Sequence, residues 1–133
     1  MSEKPIDIYL GTPYTDPDPA VRRDRFLCVN ECAARFVRAG YVVYSPISHS
    51  HAILSAHGLP AEWSFWERTG LAFLGMSKLL GVLQLEDWEE SVGLGAEIAA
   101  AREEYGIPVV YFAYRGLCER ASFREVAGNE QPK

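Results

Sequence analysis

Apolar residues fall into four short blocks, separated by longer stretches in which apolar positions recur at helical spacing. Ile6–Leu10 (IDIYL) is the first block, ends at Gly11 and reads as a short buried strand. The following TPYTDPDP is a loop dense in proline and aspartate. Asp18 and Pro19 then supply an N-cap and a first helical residue. The helix is expected to run to about Ala39, with Phe26, Val29, Ala33, Phe36 and Val37 on its apolar side and Gly40 as its stop. Tyr41–Ser45 reads as the second strand. The polar stretch PISHSHAILSAHGLP, which holds all three histidines, reads as a loop. Pro60–Met76 is expected to be the second helix, with Trp63, Phe65 and Trp66 near its start. Leu79–Leu85 is the third strand, and EDWEESVGLG is a loop leading into a helix from about Leu94 to Tyr105. Gly106 ends that helix, and Ile107–Ala113 is the fourth strand. The remainder is expected to hold a short helix near Glu119–Val126 and a frayed end.

Short apolar strands alternating with amphipathic helices predict an α/β fold. The expected form is a Rossmann/flavodoxin-like three-layer sandwich around a parallel sheet of four or five strands. At 133 residues the chain is expected to form a single domain over 1–133, with its core at about 5–113 and a tail at 114–133. Ligands of such sheets bind beyond the carboxyl ends of the strands. Three loops meet there: Gly11–Asp18, Pro46–Pro60 and Glu86–Gly95.

Composition narrows the partners. With 48% hydrophobic and 23% charged residues the chain is an ordinary globular one, which excludes disorder over most of its length. The net charge of −5 comes without a basic stripe, so no nucleic acid polymer is expected as a partner. No apolar run reaches the length of a membrane span, and the start MSEKPID lacks the apolar segment of a secretory signal. The three cysteines, Cys28, Cys32 and Cys118, form no framework, which points to reduced thiols and a cytoplasmic setting. Cys28 and Cys32 share one helix face and are expected to pack in the core, since no ligand set at metal-site spacing accompanies them. No metal site is expected.

The segment LEDWEESVGLGAEIAAAREEYGIPV (85–109) carries the most chemistry. Its Ser-Val-Gly-Leu-Gly-Ala-Glu run leaves a strand and opens a helix. Gly93 and Gly95 let a backbone approach a ligand closely. Free N–H groups at the helix start favour an anion, and Ser91 is placed to cap the helix or to donate to a phosphate. Glu97 is expected in the first turn, pointing to the end of the sheet. By spacing alone it is either an acid that suits the helix dipole or a functional carboxylate. Arg22, Arg23 and Arg25 crowd the start of the first helix, where the dipole disfavours cations. Asp16, Asp18 and Asp24 offset that cost, or a bound phosphate does, with Arg25 the best-placed ligand. His49 and His51 lie two apart near the end of the second strand and are candidates to contact a sugar or base, or to act as an acid. His57 reads as a loop residue. Trp63, Trp66 and Trp88 are core or lid residues, or one of them stacks on a base, and Tyr14 has a similar case.

The pattern Ser91–Glu97, followed by an Ala-rich helix and Gly106-Ile107-Pro108-Val109, resembles the nucleoside 2-deoxyribosyltransferase superfamily. Within it the chain is most similar to the 2′-deoxynucleoside 5′-phosphate N-hydrolases and the DUF1937 group. Thr12-Pro13-Tyr14, Ser45-Pro46-Ile47-Ser48-His49 and Trp88-Glu89-Glu90-Ser91 extend the resemblance over about residues 5–113. It implies a glutamate nucleophile, Glu97, that attacks C1′ of the (deoxy)ribose and expels the base. The resulting sugar ester is then resolved by water or by a second base. It also implies that Tyr9, at the end of the first strand, orients that carboxylate; as a residue, Tyr9 is equally a strand aromatic. Serine rather than aspartate at position 91 points to a nucleoside 5′-monophosphate. Gly11, Thr12, Pro13, Tyr14, Arg25, His49, Trp88, Ser91, Gly93 and Gly95 are the expected substrate-binding residues.

The superfamily's general acid, an aspartate on the second helix, falls at Gly70 here. Glu67, one turn earlier, and Asp87, in the loop after the third strand, are the candidate substitutes. The expected activity is therefore an N-glycosidic hydrolase or transferase with no cofactor, because the leaving base requires only a proton. The alternatives are a nucleotide-binding module without turnover and, third, an NAD glycohydrolase, whose cationic base leaves unprotonated. The resemblance also implies a homodimer or larger homo-oligomer, with the aromatic second helix as its interface.

Overall fold

The computed structural model describes residues 3–115 and 122–130, with side chains through position 113. Strands β1 (Ile6–Gly11), β2 (Val43–Tyr44), β3 (Ser77–Gln84), β4 (Val109–Arg115) and β5 (Ser122–Glu130) form one sheet in the order β2-β1-β3-β4-β5. The first four are mutually parallel, as expected for a flavodoxin-like layout. The fifth strand joins antiparallel to β4. The helix expected near Glu119–Val126 is therefore replaced by strand from Ser122 onward, and residues 119–121 lie outside the described residues.

Alternation along β1 divides the core between the two faces of the sheet. Ile8 and Leu10 pack with Val29, Cys32, Leu83 and Phe112 beneath helix α1 (Pro19–Arg38). Tyr9 faces the other way, among Leu74, Leu80, Val82 and Leu94, beneath α3 (Trp63–Leu74) and α4 (Val92–Ala99). Both Cys28 and Cys32 are buried on α1, as expected. Cys32 is a free thiol pushed up to about 12 by burial. The expectation of a reduced thiol at Cys118 falls outside the described residues. No helix among the described residues is long and apolar enough to cross a membrane.

Helix α1 starts as its sequence dictates: the Asp18 carboxylate accepts from Ala20 N at 2.9 Å, with Pro19 at the first position. The polar stretch after β2 is not a loop. It forms helix α2 (Pro46–His57), with Ser45 as N-cap, Pro46 at the first position and Gly58 in the left-handed conformation (φ 66°) at its end. Only Ser50 and Leu54 of α2 are fully buried, and the Ser50 hydroxyl is returned to Pro46 O at 2.9 Å. Such a helix needs little apolar periodicity. Helix α4 starts at Val92, two residues before the expected start at Leu94, and passes into a π turn at Ala100–Glu104. Glu97 thus lies in the second turn, clear of the dipole's strongest region.

Candidate functional site

The strand order reverses at β1, which has β2 on one side and β3 on the other. The crevice beyond the carboxyl ends of β1 and β3 is where this topology places a ligand. A pocket partly open to solvent lies there. Its floor holds Tyr9 and Glu97. Its walls are Thr12, Tyr14 and Thr15 after β1; Tyr44, Ile47, His49 and Ser50 from β2 and α2; Trp63, Trp66, Thr69 and Gly70 from α3; and Ser91, Gly93 and Leu94 from the start of α4.

The Tyr9 hydroxyl donates to Glu97 Oε2 at 2.5 Å, across a sequence separation of 88. Both residues are buried. Burial pushes the Glu97 carboxyl from 4.5 up to about 7, against the opposing pull of the Tyr9 hydrogen bond. Tyr9 rises well above its ordinary value of 10, through burial first and then the charge of Glu97. Tyr44 is pushed up to about 12 by burial and by the same charge. Tyr44 is the register partner of Tyr9 in the β1–β2 pair, their rings lie 5.6 Å apart, and Tyr44 stacks on Phe73 at 4.0 Å. Two aromatic rings at the carboxyl ends of neighbouring strands thus flank one buried carboxyl group.

Glycines make the arrangement possible by what they leave out. A Cβ at Gly11 would lie 2.9 Å from Leu94 Cδ1 and 3.2 Å from Glu97 Oε1, so the strand end must be bare for the carboxylate to reach it. A Cβ at Gly70 would lie 3.0 Å from the Tyr9 hydroxyl and 3.3 Å from Trp63 Cζ3. A Cβ at Gly93 would lie 3.3 Å from Trp63 Cε3. The Trp63 indole is therefore wedged between α3 and the start of α4, and what Gly93 admits most closely is that indole. Gly95 is exposed with open space around it.

The sequence candidates divide accordingly. Tyr9, Thr12, Tyr14, His49, Ser91, Gly93 and Glu97 come together around the pocket. Ser91 caps α4, accepting from Leu94 N at 3.2 Å. Gly11 lies beside the Glu97 carboxylate, and Pro13 is fully buried between two lining residues. Arg25 donates to the carbonyls of Tyr14 and Thr15, each at 3.3 Å, and of Glu86 at 3.4 Å, tying the loop after β1 to the loop after β3. Trp88 packs on Tyr111 at 5.6 Å. Asp87 is exposed, in a left-handed turn (φ 66°). Glu67 lines a separate hollow with Leu71, Ala96, Glu103 and Glu104, and Trp63 borders both hollows. The structure thus brings neither Glu67 nor Asp87 to Glu97. His51 accepts or donates at 2.6 Å to the Tyr14 hydroxyl and stacks on Phe26 at 4.2 Å; burial, then Arg22 and Arg23, hold it below its ordinary value.

Tyr44, Thr69 and Thr15 line the pocket without having been candidates. Tyr44 was accessible in principle, since a residue at the end of β2 must neighbour the end of β1. Thr12 carries a further signal: its Oγ1 is buried and finds no hydrogen-bond partner among the described residues. An unsatisfied buried hydroxyl costs about 1–3 kcal/mol, so it marks a place for a ligand's polar atom. No group of three or more His, Cys, Asp or Glu side chains placed to hold a metal occurs among the described residues.

A flavodoxin-like sheet with a buried tyrosine–glutamate pair at its switch point defines the class of molecule. The chain belongs to the family described as a domain of unknown function, DUF1937, whose family model matches residues 6–114. No curated protein matches the chain.

Proposed function

We propose that the protein cleaves or exchanges an N-glycosidic bond of a (deoxy)nucleoside 5′-monophosphate, with Glu97 as the nucleophile at C1′. The observation that carries this reading is the 2.5 Å hydrogen bond from Tyr9 to a buried Glu97 at the floor of an aromatic pocket. A carboxylate held by one oxygen keeps the other for attack, and Glu97 Oε1 lies beside the bare Gly11 backbone. In this reading Glu97 displaces the base through an oxocarbenium-like transition state, and water or a second base opens the sugar ester. Tyr14, Tyr44, Trp63 and Trp66 supply flat apolar faces for a base. Ser91 and Gly93 at the start of α4 suit the 5′-phosphate, as does the charge of Arg22 beside the Tyr14 hydroxyl. The reaction calls for no resident cofactor.

A homodimer or larger assembly is part of the proposal. Phe65 of α3, 51% exposed beside Trp66, supports it, and light scattering of the purified protein tests it. Binding without turnover is the second reading, favoured by the burial that opposes ionisation of the Glu97 carboxyl. The deciding experiment incubates the protein with ribo- and deoxyribonucleoside monophosphates, free nucleosides and NAD, and follows free base by chromatography. Base release that disappears in Glu97→Gln supports the glycosidase. Ligand-induced thermal stabilisation with no base release from any substrate overturns it in favour of the binding module.

A further inference from the structure

Breaking an N-glycosidic bond pushes an electron pair onto the base nitrogen. A neutral base then needs a proton, and glycosidases place a second carboxyl group about 5–9 Å from the first to provide it. The pocket has no such group: Glu97 is the one carboxyl side chain among its described lining residues, and it forms the bond to the sugar. The α3 wall presents Thr69, Gly70 and two tryptophans instead. Position 70 cannot carry an acid without displacing the Tyr9 hydroxyl or Trp63. The tyrosines are poor donors of a full proton, since burial raises Tyr9, Tyr14 and Tyr44. His49 is the remaining acid of the lining.

What the pocket offers is suited to positive charge. Aromatic rings line the pocket with a buried carboxylate, the described lining contains no lysine or arginine, and Arg22 stands beside the Tyr14 hydroxyl, where it serves the phosphate. Aromatic faces attract cations, more strongly when desolvated. A cation beside Glu97 would also favour the ionised form that burial opposes, so the substrate itself would prepare the nucleophile.

We propose that the substrates are N-glycosides whose base is already cationic, such as a pyridinium or an N7-alkylated purine. The inference rests on the glycosidase reading of Glu97 and specifies its leaving group. Glu97 Oε1 bonds to C1′ as the C1′–N bond breaks, and the electron pair of that bond cancels the ring's positive charge. The base departs neutral without taking a proton. Water then attacks C1′, frees the Glu97 carboxylate and leaves a sugar hydroxyl and one proton.

The test compares matched bases on the wild-type protein: 7-methylguanosine 5′-monophosphate against guanosine 5′-monophosphate, and nicotinamide mononucleotide against the cytidine and adenosine monophosphates, with their deoxy forms. An enzyme with an acid in place levels such pairs, whereas one without it passes their difference on. The expected result is a kcat/KM preference for the cationic bases of about 100-fold or more, within the range of about 10²–10⁴ that a general acid contributes. Its pH profile should rise and then stay level. Comparable cleavage of a neutral base overturns the inference and leaves the glycosidase standing, and loss of that cleavage in His49→Gln would assign the proton to His49. No base release from either class overturns the glycosidase reading itself.

Discussion

Replacing Glu97 by glutamine should stabilise the protein, and by an amount that depends on pH. A carboxyl group moved from 4.5 to about 7 by burial costs about 3 kcal/mol once both folded and unfolded chains are ionised. The folded state binds the extra proton between these values, so stability falls as pH rises through that window. The contribution is fully present below pH 4.5 and lost by the time the pH passes about 7. Glutamine keeps the size of the side chain and an oxygen for the Tyr9 hydroxyl, but it has no proton to lose. The difference in unfolding free energy between Glu97→Gln and wild type should therefore become about 3 kcal/mol more favourable to the variant from pH 4.5 to pH 8. Comparing the two proteins at each pH cancels the exposed carboxylates that both share. Urea unfolding at pH 4.5, 6, 7 and 8, with far-ultraviolet dichroism as the signal, measures it. A difference that stays flat across the series to within about 0.5 kcal/mol, below the ordinary effect of a buried substitution, would show that Glu97 is not held against its own ionisation.

Three further outcomes follow from the same geometry. Tyr9→Phe removes the donor that lowers the Glu97 carboxyl, so that group should titrate above about 7; carbon NMR of labelled glutamate reads this directly, and an unchanged or lower value would contradict the hydrogen bond's role. Gly11→Ala forces a methyl to 2.9 Å from Leu94 and 3.2 Å from Glu97, and the overpacking should cost about 1–3 kcal/mol in urea unfolding. Thr12→Val removes a buried hydroxyl with no partner among the described residues, so the ligand-free protein should lose no stability and gain up to about 1–3 kcal/mol, while ligand-induced thermal stabilisation should shrink. A loss of stability in the ligand-free variant would mean that the hydroxyl is already satisfied.

Much of the fold follows from signals local to each element. The Asp18-Pro19 start of α1, the apolar strand blocks and the stop at Gly106 are all short-range, and the order of elements then restricts the topology. The misreadings came where local pattern carries little information. Helix α2 buries two residues and so shows weak periodicity, although Ser45-Pro46 and Gly58 are ordinary start and stop signals. Strand β5 gains its hydrogen bonds from β4, a partner no local window contains. At the site, Glu97 and Tyr9 were legible from the family resemblance, but their surroundings were not. Glu67 is one helical turn from Gly70, yet Trp63 borders both its hollow and the pocket of Glu97. Sequence spacing gives the face of a helix, not which neighbouring ring divides that face.

Strand β5 also protects the molecule from itself. β4 begins Val109-Val110-Tyr111-Phe112, an apolar stretch of the kind that templates pairing between chains when its backbone groups stand open. The antiparallel partner closes that margin of the sheet, while the opposite margin, β2, has two residues and runs straight into Pro46. A chain cut after Arg115 would keep the pocket residues and lose the cover. Its failing would be colloidal before it was catalytic: soluble only when dilute, and prone to join other copies edge to edge.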